Sequence, residues 1–343
     1  MTQGSSSSTV IDVHSHLYPR FYLELLEGRS EVPRVVRRNG ELEFQIFQEE
    51  VGENAGGRTL SADFWDLQLK LDFMDAHGID RSLVSLGNPW LGPFPGDDGD
   101  RVARRLNEEF SRYEAETDGR VVGIGVLPAG SVEAACREIE WIDSSPGLYG
   151  AVSGPRLAGL QLDDPGLEPV WKDLAERELP LFIHPEIGIE GDALKGYRHA
   201  LPIGIGFPAE TTIALTRLVF GGVLKRWPNL QLLVAHGGGC IPYLAGRLDA
   251  VWKSDSSLRE NLPDPPSRYF RRLFLDALVY HPPAMRAAHS MIGSGRLLFG
   301  SDHPFSIADA GQNMSTIKQE FRENGDGEMI LADSAKRFFG LRD

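Results

Sequence analysis

Along this chain, short apolar runs alternate with longer stretches in which apolar residues recur every three or four positions. Eight runs rich in Val, Ile, Leu and Phe stand out: "TVIDV" (9–13), "SLVSLG" (82–87), "VVGIGVL" (121–127), "YGAVSG" (149–154), "PLFIH" (180–184), "LQLLVAH" (230–236), "FLDALV" (274–279) and "RLLFGSD" (296–302). Near-continuous apolarity over so few residues predicts strands buried on both faces, as in a parallel sheet. Between them the period lengthens. Residues 64–78 place Leu67, Leu71 and Met74 on one stripe and close on Gly78, and 100–119 align Val102, Leu106, Phe110 and Tyr113. Residues 208–228 open on Pro208 and carry Leu215, Leu218, Val219 and Val223. Such stripes predict amphipathic helices, with Pro tolerated in a first turn and Gly at a C-terminus. Further helices are expected over 131–144, 165–178, 241–254, 283–293 and 310–323.

Eight strands interleaved with helices predict an α/β fold, a (β/α)8 TIM barrel, over 10–343 as one domain. A doubly wound open sheet is the alternative, weakened by the lack of a Gly-rich phosphate-binding turn after the first strand. Residues 20–62 break the alternation. There "VVRRNGELEFQIF" sets Asn39-Gly40 between two alternating runs, a hairpin signal. It is read as a small insertion after strand 1, lying over the barrel mouth. The opening "MTQGSSSST" (1–9) reads as a disordered tail.

Composition changes this picture little. With 41% apolar and 24% charged residues in 343, the chain is an ordinary globular one. No apolar run of membrane-spanning length and no signal peptide is read. Two cysteines, Cys136 and Cys240, make no disulfide framework, so the cytoplasm is the default compartment. The net charge of −14 argues against a nucleic-acid surface. An anionic substrate would need local positive charge.

The strand ends carry the chemistry. In "IDVHSHLYP" (11–19), His14 and His16 are two apart, and alternation points such residues to one face of a strand. Strand 5 ends in His184, strand 6 in His236 and strand 8 in Asp302. In a barrel the carboxyl ends of the strands form the active site. Imidazoles and a carboxylate suit a borderline divalent cation. Strand 4, "YGAVSGPRLAG", offers no Lys, Glu, Cys or His at its end to bridge two ions, which favours a single metal. Imidazole ligands lean towards zinc, with manganese the alternative.

"IDVHSHLYP", "FIHPEIG", "GFPAETTIA", "AHGGGCIPYLAGR", "FLDALV" and "FGSDHPF" together resemble the amidohydrolase superfamily, in the branch of aminocarboxymuconate-semialdehyde decarboxylase. "SLGNPW" (85–90) and "GGRTLS" (56–61) resemble the isoorotate (5-carboxyuracil) decarboxylases more closely still. The resemblance implies His14, His16, His184 and Asp302 as metal ligands and His236 as the neighbouring acid or base. It implies Arg247 at the substrate carboxylate, in some relatives from the partner subunit, and so a homodimer. Arg58 and Asn88 match substrate-contacting positions. Ser61 stands where the muconate branch has its arginine, which sets the muconate substrate apart from this chain.

The expected activity is therefore metal-dependent, non-oxidative decarboxylation of a small unsaturated, aromatic or pyrimidine carboxylic acid, with His236 or Asp302 delivering a proton to the carbon that loses CO2. Phe207, Trp90 and His303 are candidates to line the pocket, and Glu210 and Asp276 to orient the histidines. Two other readings compete: a metal-dependent hydrolase or hydratase on the same barrel, and a metal-binding protein without catalysis. Release of CO2 with no water incorporated separates the first from both.

Overall fold

Eight parallel strands run β1 (Ile11–His16), β2 (Arg81–Ser85), β3 (Val121–Val126), β4 (Leu148–Ser153), β5 (Leu181–Ile183), β6 (Leu232–Val234), β7 (Phe274–Asp276) and β8 (Leu297–Leu298). They come from a computed structural model that describes residues 9–52, 57–189, 191–307, 309–323 and 325–342. The expected tail, 1–9, lies outside the described residues except for Thr9. Each strand pairs with the next in chain order. The Val13 N–H donates to Phe299 O at 3.0 Å, which brings the last strand back to the first. Sequential order and this closure make a barrel. A doubly wound sheet would leave the first strand in the interior of the order.

Strand residues Val13, Leu83, Ile124, Val152, Ile183, Leu233, Leu275 and Leu298 are fully buried. That is why the runs read as continuous rather than alternating. The helices follow their stripes. Helix Leu67–His77 starts on Asp66, whose side chain accepts from the N–H groups of Gln68 and Leu69, and ends on Gly78 at φ 66°. The expected 100–119 helix is two pieces, Asp97–Phe110 and Tyr113–Glu116. It begins earlier because Asp97, Asp98 and Asp100 suit the positive end of the helix dipole. The 208–228 pattern divides likewise into Phe207–Phe220 and Val223–Arg226, with Gly222 at φ 73° at the break. Pro202–Phe220 is long and apolar enough to cross a membrane by length and composition, at a mean hydropathy of 1.2. Leu215, Leu218 and Val219 are buried against the protein's own core, while Ile205 and Ile213 on the same stretch are exposed.

The insertion contains the expected hairpin, Arg34–Arg38 antiparallel to Glu41–Gln45. Its turn has Asn39 at φ 52° and Gly40 at φ 88°, the two left-handed positions a two-residue hairpin loop demands. A third strand, Arg58–Thr59, pairs with the second. Helix Arg20–Glu27, which burial of Phe21, Tyr22, Leu23 and Leu26 holds in place, was not foreseen from the sequence.

Candidate active site

The carboxyl end of β1 is irregular. Its register against β2 slips between Asp12 and Ser15, a bulge that re-aims side chains at a strand end. Even so, His14 and His16 converge, with their Nε2 atoms 3.2 Å apart. His184 completes a triangle whose sides, between ring centroids, are each 5.1 Å. The second nitrogen of each ring is engaged elsewhere. His14 Nδ1 donates to Asp276 Oδ2 at 2.6 Å, His184 Nδ1 donates to Pro185 O at 2.7 Å, and His16 Nδ1 lies 3.3 Å from Ser85 Oγ. Such partners fix ring orientation and leave the inward nitrogen free.

Asp302 enters from the β8 end. Its Oδ1 lies 3.3 Å from His16 Nε2 and 3.5 Å from His14 Nε2, and its Oδ2 lies 3.9 Å from His236 Nε2. His236 and Asp302 both hold left-handed backbone, φ 53° and 56°. Residues with side chains rarely adopt it, and it persists where surrounding structure imposes it, commonly at functional sites. Asp276, at the end of β7, accepts the N–H groups of His236 and Gly237 at 2.9 Å and of Leu278 at 3.1 Å.

Electrostatics agree with the geometry. Burial, then the neighbouring imidazoles, pushes His184 well below the usual histidine range, and burial lowers His16 as well. Burial alone would raise Asp302, but His16 and His236 hold its carboxyl well below the usual carboxylate range. His14 goes the other way: burial alone would lower it, but its bond to Asp276 and the nearby Asp302 carboxylate raise it above the usual histidine range. Two rings held neutral, His16 and His184, and an ionised carboxylate thus aim lone pairs at the place His14 also faces. Ring nitrogens of His14, His16 and His184 lie within 4.8 Å of one another, as do donor atoms of His14, His236 and Asp302. Converging lone pairs repel unless a cation sits between them, and this donor set fits a divalent ion.

The remaining expected residues are dispersed. Asn88 is buried; its Oδ1 accepts Trp90 Nε1–H at 3.2 Å, while Nδ2 has no hydrogen-bond partner among the described residues. The Trp90 ring lies 5.6 Å from that of His184. Phe207 is buried at the start of its helix, beside Gly188. Arg58 sits on the third insertion strand, its Nε 3.4 Å from Glu50 Oε1. His303 stacks on Phe73 with centroids 3.8 Å apart, and its Nδ1 lies 3.4 Å from Lys70 Nζ. Arg247 is exposed on helix Ile241–Ser254 and joins no imidazole among the described residues. Glu210, expected beside the histidines, instead accepts the N–H groups of Glu186 and Gly188 at 3.0 and 2.9 Å. It holds the β5 loop because its helix begins under that loop.

A cavity of about 400 Å³ opens beside this loop, bounded by Arg156, Glu186, Glu210 and Ile213. Another, of about 310 Å³, lies between Phe73, His303 and Phe305. Neither is lined by the clustered imidazoles.

Three residues near the cluster escaped the sequence reading. Phe305 places its ring 5.3 Å from His16 and 5.5 Å from Phe64. Tyr280 OH lies 3.5 Å from Asp302 Oδ2. Tyr18 OH donates to Asn88 O at 2.8 Å. Each follows a strand-end motif by a few residues, which was the available signal.

The model of the amidohydrolase family matches residues 11–341. The 2-amino-3-carboxymuconate-6-semialdehyde decarboxylase of Dictyostelium discoideum is 30% identical, over 83% of this chain and 79% of its own. The structure of Metarhizium anisopliae IDCase, an isoorotate decarboxylase, superposes with a TM-score of 0.92 at 30% identity, covering 100% of both chains. A dihydroxybenzoic acid decarboxylase from Polaromonas sp., solved with bound manganese, shares the fold at 22% identity, 98% coverage of each chain and a TM-score of 0.79. By sequence and by fold, this chain belongs to the amidohydrolase family, and these relatives are decarboxylases.

Proposed function

We propose that this protein removes CO2, without oxidation, from a small planar carboxylic acid, aromatic or pyrimidine, that carries an oxygen next to its carboxylate. The observation that carries this reading is Asp302, one oxygen facing His14 and His16 and the other facing His236. His14, His16, His184 and Asp302 would hold one divalent cation. Zinc suits three imidazoles, and manganese, found in the Polaromonas relative, is the alternative. The bound cation supplies a Lewis acid for the carboxylate and its neighbouring oxygen.

The chain's own residues do the rest. Arg58 fits a carboxylate or ring oxygen with its planar fork. The unpaired Nδ2 of Asn88 is a donor for a second oxygen. Phe207, Phe305 and Trp90 wall the planar ring, and His303 backs the loop that carries Asp302. His236, whose Nδ1 has no partner among the described residues, delivers a proton to the ring carbon, with Asp302 as its relay. A new C–H bond forms there. The C–C bond then breaks, its electron pair returns to the ring, and CO2 departs. The insertion roofs this site on a single domain, and a homodimer would bring Arg247 of one subunit to the other's substrate. Cytoplasmic residence goes with the two free cysteines.

The test is a panel of isoorotate, 2,6-dihydroxybenzoate, 5-carboxyvanillate and muconate acids, with zinc- or manganese-loaded protein in deuterium oxide. Release of CO2 with one solvent deuterium at the vacated carbon is expected from at least one acid. His236→Gln should lower turnover about 10²–10⁴-fold with metal content unchanged. Incorporation of solvent oxygen without CO2 would replace this reading with hydrolysis or hydration.

A further inference from the structure

Two adjacent acidic residues of the insertion, Glu49 and Glu50, meet a loop from the other side of the mouth. Glu49 accepts the N–H groups of Gly196 and Arg198, each at 2.9 Å. These lie in the stretch between β5 and helix Phe207–Phe220. Glu50 is fully buried. Its Oε2 accepts the N–H groups of Ile46 and Phe47 at 2.7 and 3.0 Å. Its Oε1 has no hydrogen-bond donor among the described residues, but Arg58 Nε and His199 Nδ1 each stand 3.4 Å away.

Arg58 is the unusual member. Some 21% of its side chain is exposed, yet Nε and Nη2 are both buried without a hydrogen-bond partner among the described residues. Leaving buried donors unmade costs free energy that a fold does not normally tolerate. A guanidinium held this way is poised for an acceptor that arrives later. Its surroundings say where: Arg58 pairs with Phe44 across the insertion, the Phe44 ring lies 5.4 Å from that of Tyr18, and Tyr18 follows His16 of β1 by two residues, which puts Arg58 on the β1 side of the insertion. In a chain of net charge −14, this is the local positive charge an anionic substrate needs. Strand Arg58–Thr59 is two residues long, so its backbone pairing fixes the side chain weakly. Glu50 is the second anchor.

We propose that Glu50 is a positioning residue for substrate binding: it holds the Arg58 guanidinium at Nε, with His199 closing its other side, so that Nη2 is presented to an anionic oxygen of the substrate. The inference rests on the function proposed above and adds a residue that never touches substrate but sets its affinity. Glu49 ties the 196–199 stretch into the same wall.

The test compares wild type, Glu50→Gln, Glu50→Asp, Arg58→Met and Glu50→Gln with Arg58→Met combined. Metal content and melting temperature are checked first. kcat and KM are then measured on isoorotate and 2,6-dihydroxybenzoate, and calorimetry follows binding of both acids. Glu50→Gln should raise KM about tenfold with kcat within about threefold, since one charge-assisted contact is misaligned. In the Arg58→Met background the same change should move KM less than about twofold, because both act through one contact. If Glu50→Gln does not fold, Glu50→Asp carries the test, its shorter reach raising KM at unchanged metal content. Wild-type turnover with KM unmoved by either Glu50 variant, or with effects that multiply, overturns the role of Glu50 alone. A wild type that neither converts nor binds either acid, nor any other acid of the panel, overturns the proposed function and this inference together.

Discussion

Asp276 accepts four hydrogen bonds, from His14 Nδ1 and from the N–H groups of His236, Gly237 and Leu278. It therefore sets the ring of one proposed ligand and the backbone of the proposed acid or base at once. An amide there keeps one acceptor and turns its nitrogen towards donors. Asp276→Asn should weaken metal affinity about 10–100-fold, measured by competition with a coloured chelator, with turnover per bound metal falling far less. Unchanged affinity would mean His14 needs no orienting partner. In the sequence Asp276, in strand 7, and Glu210, in the first turn of a helix, were both candidates to orient the histidines. Only burial separates them: Asp276 has no exposure and faces His14, while Glu210 turns to the β5 loop. The convergence of His14 and His16 was legible from their spacing. The bulge that aims them was not, because it depends on the register of β1 against β2.

At the scale of elements, all eight strands and most helices were written in apolar period, because a buried parallel strand and an amphipathic helix each impose one. Breaks were harder to see: the split after Phe110 interrupts a stripe that itself continues to buried Tyr113. Helix Arg20–Glu27 was hidden inside a segment read through its hairpin alone. The β5 loop shows what an element can cost. Burial, then the Glu210 carboxylate, raises the Glu186 carboxyl to about 7, with Arg156 opposing. The folded protein thus holds that proton more tightly than an unfolded chain, whose glutamate titrates near 4.5. The resulting stability is complete below about pH 4.5 and is lost as pH rises through about 7. Above that, the ionised group is a standing cost. Glu186→Gln should raise the melting temperature by about 1–3 °C at pH 8 and leave it unchanged at pH 4.5. Scanning calorimetry at the two pH values reads the difference, and equal gains at both would remove Glu186 as the cause.

For the whole molecule, the proposed ligands come from both ends of the barrel sequence. His14 and His16 leave β1, His184 leaves β5 and Asp302 follows β8, just beyond Phe299, whose carbonyl takes the closing bond from Val13. A cation held by these four groups would tie the seam of the barrel to its far side. The same four groups are all buried, so the lone pairs they turn inward have lost their water. Filling the site therefore stabilises the fold by mass action, as the unfolded chain cannot assemble ligands so distant in sequence. At free metal about 1,000-fold above Kd this linkage is worth about 4 kcal/mol. For a chain of this length that is a shift of about 6 °C in melting temperature. Chelation should lower the melting temperature by that amount, and added zinc or manganese should restore it. In Asp302→Ala or His16→Ala the melting temperature should no longer respond to either treatment, which separates loss of a ligand from loss of stability. A melting temperature indifferent to chelation in wild-type protein, with no metal found by elemental analysis, would leave the imidazole triangle without its organising ion.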